Sequence, residues 1–204
     1  LILHHPDIRQ FTTVWMDSLR GGESMLVNTN KLIRFYDGAT GLKTGSTGSA
    51  GYCLSATAEK NGMELIAVVL KGKTSDERFS DAKSLLNYGF STWSLVTVTP
   101  DEVLPPVPVT LGVRGTVQPV LTSENTLLVE KTLANGLTKE VALAESVAAP
   151  VYAGDTLGQL TVRDAAGNTV AELPILAGED VGHVTFVQML GRCLARGFCM
   201  GPQS

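Results

Sequence analysis

Apolar and polar positions change their rhythm three times along this chain, and each change predicts a different kind of element. Between residues 6 and 20, Phe11, Val14, Trp15 and Leu19 recur at helical spacing, and Gly21-Gly22 follows as a stop, so a helix is expected there. Asn30 to Phe35 lead towards a strand, and Asp37-Gly38 makes a turn. Residues 50–58 and 63–70 alternate as two strands around Asn61-Gly62, a strong hairpin dipeptide. Asp76 to Asn87 return to a helical period, with Phe79, Ala82, Leu85 and Leu86 on one face, and the helix is expected to run on to residue 90.

From Val96 the helical period disappears. Val107-Pro108-Val109, Thr126 to Val129, Lys139 to Leu143, Thr156 to Val162 and Thr169 to Ile175 read as strands, with Asp164 to Asn168 as a hairpin turn. These short runs predict a small all-β sandwich reached through the proline-rich linker Pro100 to Pro108. Val181 to Met200 predicts a last helix. Val184, Val187, Leu190, Leu194 and Phe198 fall in one arc, with Phe186 and Cys193 at its edge. Thr185, Gln188, Arg192 and Arg196 lie opposite, a pattern suited to an anionic membrane interface. The expected organisation is therefore 1–95, 96–180 and 181–204.

Composition narrows the function classes. A formal net charge of −4 without a Lys/Arg-rich patch argues against nucleic acid as a partner. No run of 18 apolar residues occurs, so no helical membrane span is expected. Cys53, Cys193 and Cys199 match no metal spacing, and Cys53 reads as a small core residue. His4-His5 reads as an exposed turn before Pro6. No metal site and no cofactor are expected.

The candidate chemistry sits in Lys43-Thr44-Gly45-Ser46-Thr47, ten residues after Asn28-Thr29-Asn30-Lys31-Leu32-Ile33. Acyl transfer on a peptide with a free carboxylate needs positive charge near that carboxylate and main-chain donors for the oxyanion. Lys43 can supply the charge, and Thr44 or Ser46 can hydrogen-bond the carboxylate or relay a proton. Gly45 lets the backbone approach a substrate closely, and a strand beginning there can pair with an extended peptide.

The run Thr40 to Thr47, continued through Ala50-Gly51-Tyr52-Cys53-Leu54, closely resembles the D-alanyl-D-alanine carboxypeptidases, the low-molecular-mass penicillin-binding proteins. The resemblance extends over Leu65 to Leu70, Asp76-Glu77-Arg78-Phe79 and Ser84 to Phe90, and upstream over Trp15-Met16-Asp17 and Leu26 to Leu32. It implies an α+β fold: the C-terminal part of a β-lactamase/transpeptidase-like domain, then the β-sandwich, then the amphipathic helix. Lys43, Thr44 and Gly45 match the third family motif, Ser46 and Thr47 stand where the family often has hydroxyls, and Arg78 matches an arginine facing the substrate carboxylate. The implied roles are catalytic for Lys43 and Thr44, and substrate-binding for Gly45, Ser46, Thr47 and Arg78.

The family's nucleophile motifs precede its Lys-Thr-Gly. Ser80-Asp81-Ala82-Lys83 and Ser123-Glu124-Asn125 imitate them but follow it, and neither is expected to act. The resemblance thus implies a serine-type carboxypeptidase fragment, inactive alone, that in the intact enzyme trims the terminal D-alanine from peptidoglycan stem peptides and binds β-lactams. Its expected location is outside the cytoplasm, peripheral to the bacterial cell membrane through the last helix. The alternatives are a β-lactamase-related hydrolase, against which the β-sandwich argues, and a non-catalytic cell-envelope binding module.

Overall fold

The computed structural model describes residues 5–198. His4, Cys199 and Met200, and the side chains of Cys193, Arg196 and Phe198, lie outside that description. Two compact units are present: residues up to Leu95 together with Leu128–Ala134, and Val96–Leu127 together with residues from Asn135 on.

The first unit is built on three antiparallel strands in the order β3-β4-β5: β3 (Ala39–Thr47), β4 (Gly51–Lys60) and β5 (Met63–Gly72). Asn61-Gly62 makes the expected hairpin between the last two, with both residues at positive φ. Alternation along β4 and β5 sends Leu54, Ala56, Ala58, Ala67 and Val69 to one face, where they are buried. The α3 helix (Ser75–Thr92) covers that face with Phe79, Ala82 and Leu86. A fully buried Leu or Phe contributes roughly 1.5–3 kcal/mol to such an interface. Thr74 caps α3 by accepting from the Glu77 N–H at 3.1 Å, and the Glu77 carboxylate accepts from the Lys73 N–H at 2.7 Å. Leu85, expected on the buried face, is instead half exposed. Ile66, Val68 and Leu70 project from the sheet face opposite α3 and are exposed.

The helix expected over 6–20 is not formed as such. A single 3-10 turn (Pro6–Ile8) and the short α1 (Arg9–Thr12) are followed by β1 (Met16–Leu19), which pairs antiparallel with β2 (Ser24–Val27). Arg20, Gly21 and Gly22 all adopt positive φ and reverse the chain. The glycine pair therefore closes a hairpin instead of stopping a helix, since the left-handed region that the reversal needs costs glycine little. Trp15 packs edge-on to Phe35 of α2 (Leu32–Phe35), with ring centroids 6.0 Å apart. A short helix, α4 (Lys131–Ala134), also belongs to this unit, where Lys131 Nζ donates to the Phe90 carbonyl at 2.7 Å.

The second unit is sheet-rich. Strand β9 (Pro119–Leu121), β11 (Thr138–Leu143), β13 (Thr156–Arg163) and β14 (Thr169–Ala177) form a sheet ordered β11-β13-β14-β9. A second sheet is ordered β12-β7-β8, from β7 (Val107–Thr110), β8 (Thr116–Val117) and β12 (Val147–Ala148). Strands β6 (Trp93–Thr97) and β10 (Thr126–Glu130) pair as a ribbon that belongs wholly to neither unit. Val107, Val109 and Val117 of one sheet share a core with Leu157 and Ala177 of the other. Leu160, Val162, Leu173 and Ile175 form a second cluster with Val98.

The last helix is shorter than its apolar period suggests. Val181 to Thr185 are not helical: Val181 bridges Val151, His183 bridges Gly112, and Val181 and Val184 are buried in the sheet-rich unit. The α5 helix runs Phe186–Phe198. Phe186 (81% exposed), Val187 (77%), Leu190 and Leu194 leave its apolar face open. Arg192, expected in an outward basic stripe, donates instead to the carbonyls of Gly112 (2.9 Å) and Val113 (2.6 Å). Those carbonyls need a donor, and the helix places one within reach.

Gly158 lies at a register shift between β13 and β14, where a Cβ would collide with the Ala142 carbonyl oxygen. Gly158→Ala should therefore destabilise the sheet-rich unit by about 1–3 kcal/mol, the range for overpacking. Gly182→Ala, whose Cβ would meet nothing closer than 3.9 Å, should leave the urea midpoint near wild type. Equal midpoints for the two variants would contradict this packing.

Candidate active site

Strand β3 is an edge strand, so one row of its backbone groups is unpaired by the sheet. Its register sets Lys43 opposite Ser55, Thr44 opposite Leu54 and Gly45 opposite Cys53. Lys43-Thr44-Gly45 thus occupies the middle of the strand, where a strand start was expected. The Lys43 and Thr44 side chains leave opposite faces. Lys43 is exposed, and its Nζ folds back onto the Thr44 carbonyl at 2.5 Å. Thr44 is buried (8% exposed), and its Oγ1 lies 2.7 Å from Thr29 Oγ1.

A Cβ built at Gly45 would meet nothing within 4 Å. The protein's own packing therefore does not require glycine there, and the space beside the strand is open. Ser46 is exposed, whereas Thr47 is spent on the following turn, its Oγ1 accepting from the Ala50 N–H at 3.0 Å.

Arg78 reaches back to this strand from the first turns of α3. It is buried (7% exposed), with Nη1 donating to the Gly45 and Cys53 carbonyls, both at 3.2 Å, and Nη2 to Ser75 Oγ at 3.3 Å. The guanidinium also lies over the rings of Phe79 (4.8 Å) and Tyr52 (5.4 Å). Among the described residues no carboxylate forms an ion pair with it. Its charge is met by carbonyl dipoles, the Ser75 hydroxyl and ring faces, so Arg78 and Lys43 leave β3 with positive charge that no carboxylate cancels. The nearby Asp76 is occupied elsewhere: Lys31 Nζ bonds it at 2.8 Å and holds its carboxyl below the usual carboxylate range.

The loop before α2 completes the arrangement. Asn28 Nδ2 donates to the carbonyls of Thr12 (3.1 Å) and Val14 (2.9 Å), and its Oδ1 accepts from the Asn30 N–H (2.9 Å). Asn30, buried, donates from Nδ2 to the Gly41 carbonyl on β3 at 2.9 Å and accepts from the Leu32 N–H at 3.2 Å. Sequence reasoning assigned these residues no role. Their signal was the Asn-x-Asn spacing, which favours side-chain-to-backbone turns.

The two motif imitations stay apart from this site. Ser80 is exposed on α3, where its carbonyl accepts from Ser84 Oγ. Asn125 exchanges hydrogen bonds with Val98 within the sheet-rich unit. Among the described residues, no group of His, Cys, Asp and Glu could hold a metal ion.

Residues 2–74 match the family model for D-alanyl-D-alanine carboxypeptidases, and residues 96–183 match that for the C-terminal domain of penicillin-binding protein 5. The D-alanyl-D-alanine carboxypeptidase DacF of Bacillus subtilis is 33% identical over 198 residues, 95% of this chain and 51% of that protein. DacC of Escherichia coli is 30% identical over 143 residues, 69% of this chain and 36% of that protein. The chain thus spans about half of the length of the first of these curated relatives and less of the second. Penicillin-binding protein 5 of Haemophilus influenzae shares the fold, with a TM-score of 0.71 at 23% identity over 89% of this chain and 54% of that one. With both halves matched in order, at this identity and in this fold, the chain belongs to the D-alanyl-D-alanine carboxypeptidase family.

Proposed function

We propose that this chain supplies the substrate-carboxylate side of a serine-type D-Ala-D-Ala carboxypeptidase active site, which removes the terminal D-alanine from peptidoglycan stem peptides and is acylated by β-lactams. The observation that carries this reading is the edge strand β3, open beside Gly45 and flanked by two cations without carboxylate partners. An extended peptide can add to that edge through main-chain hydrogen bonds. Its terminal carboxylate then meets the Thr44 hydroxyl and the Lys43 ammonium, with Ser46 at the rim. Arg78 acts through its charge and by holding the Gly45 carbonyl, since its guanidinium is already engaged by the main chain. Thr47 shapes the turn beyond.

In this reading the serine nucleophile and its lysine base come from a part of the enzyme outside these residues. The residues up to 95 form part of the catalytic domain, and the sheet-rich unit is an accessory domain.

We also place the protein outside the cytoplasm, peripheral to a bacterial membrane. The support is α5, whose apolar face is open while Arg192 ties the helix to the sheet-rich unit. No helix among the described residues is long and apolar enough to cross a membrane. An open amphipathic face suits the interface instead.

In the full-length enzyme carrying this chain, Lys43→Ala should lower kcat/KM for a peptide ending in D-Ala-D-Ala by roughly 10²-fold or more, as for a lost preorganised charge. Near-normal turnover would refute the assignment. Leu190→Asp combined with Leu194→Asp should abolish co-sedimentation with anionic vesicles while the urea transition of the sheet-rich unit stays unchanged. Vesicle binding that survives the pair would remove α5 as the anchor.

A further inference from the structure

We propose that Thr29 is a positioning residue for Thr44, orienting the Thr44 hydroxyl so that its hydrogen points to the carboxylate of a peptide bound along β3. The inference rests on the carboxypeptidase reading and adds a residue to it. A threonine hydroxyl has one hydrogen to donate and two lone pairs to accept. Thr29 Oγ1 and Thr44 Oγ1 lie 2.7 Å apart, so one donates to the other. Thr44 Oγ1 has no other side-chain or backbone partner among the described residues. When Thr29 donates, the Thr44 hydrogen is left unused by the protein and is available to a ligand. When Thr44 donates, it offers a ligand only lone pairs, which repel a carboxylate. A bound anion therefore selects the arrangement in which Thr29 is the donor.

The loop makes this relay a rigid one. Asn28 and Asn30 spend their amide groups on closing the loop, and Asn30 is anchored to Gly41 on the same strand as Thr44. The separation of Thr29 from Thr44 is thus set by a buried hydrogen bond and not by the rotamers of an exposed side chain alone. The β-branch of Thr29 narrows χ1 further. Between two asparagines used for architecture, Thr29 is an exposed residue that turns its hydroxyl onto the motif strand. Nothing in the closure of the loop needs a hydroxyl at this position.

The test uses the full-length enzyme carrying this chain, with steady-state hydrolysis of a peptide ending in D-Ala-D-Ala. Thr29→Val keeps shape and removes the donor. It should raise KM by up to about tenfold, the upper range for losing one neutral hydrogen bond, with a smaller effect on kcat. Thr29→Ala should raise KM to a similar extent, and Thr29→Ser should remain within about threefold of wild type, since the donor is kept. The double variant Thr29→Val with Thr44→Val should be no worse than Thr44→Val alone, because the first residue acts only through the second. Unchanged KM in Thr29→Val, or full additivity in the double variant, overturns the positioning role while leaving the carboxypeptidase reading standing. No turnover by the wild-type enzyme, or no effect of Thr44→Val, overturns that reading and this inference with it.

Discussion

The packing of α3 on the β3-β4-β5 sheet is the contact on which the candidate site depends. Phe79, Ala82 and Leu86 are driven against Leu54, Ala56, Ala58, Ala67 and Val69 by burial of apolar area. That interface fixes the rotation of the helix about its axis. One residue before Phe79, Arg78 is then carried to the backbone of β3 and β4, where it bridges the Gly45 and Cys53 carbonyls. Gly89 allows the far end of the helix to sit equally close, since a Cβ there would come within 2.5 Å of Leu65. A non-specific force thus positions a specific cation.

Electrostatics then gives the strand its character. Buried arginines are usually paired, because an unpaired charge in a poorly polarisable interior is costly. Arg78 is stabilised by carbonyl dipoles and by the faces of Phe79 and Tyr52, which leaves its charge formally uncancelled. Arg9, in contrast, pairs with Glu59 and Glu64, and Lys31 with Asp76. The Lys43-Thr44-Gly45 strand is left beside positive charge that no carboxylate cancels, and an anionic peptide terminus would gain from it.

Errors of the sequence reading cluster where a pattern was compatible with two structures. Phe11, Val14, Trp15 and Leu19 fit a helical period, yet Met16 to Leu19 form a strand because Arg20, Gly21 and Gly22 reverse the chain and offer β2 as a partner. In an isolated window the glycine pair reads equally as a helix stop. Val181 and Val184 fit the apolar arc of the last helix, but Val151 and Gly112 provide bridge partners that hold this stretch extended. Arg192 looked like a solvent-facing charge until the carbonyls of Gly112 and Val113 came within reach. The first miss was decided by a hairpin partner close by in the chain, the other two by partners distant in it.

By itself the sequence determined what local chemistry can encode. The Asn61-Gly62 hairpin, the apolar stripe of α3, the strands from Val107 to Ile175 and the Lys43-Thr44-Gly45 motif all follow from short-range preferences. Only the tertiary structure decided that the motif lies within an edge strand, that Arg78 turns inward to hold it, and that Thr29 meets Thr44 at 2.7 Å. The physical reason is that a hydrogen bond between residues distant in sequence depends on separations held to a fraction of an ångström. Those separations are set by the packing of other elements, and no pattern within the residues themselves records them.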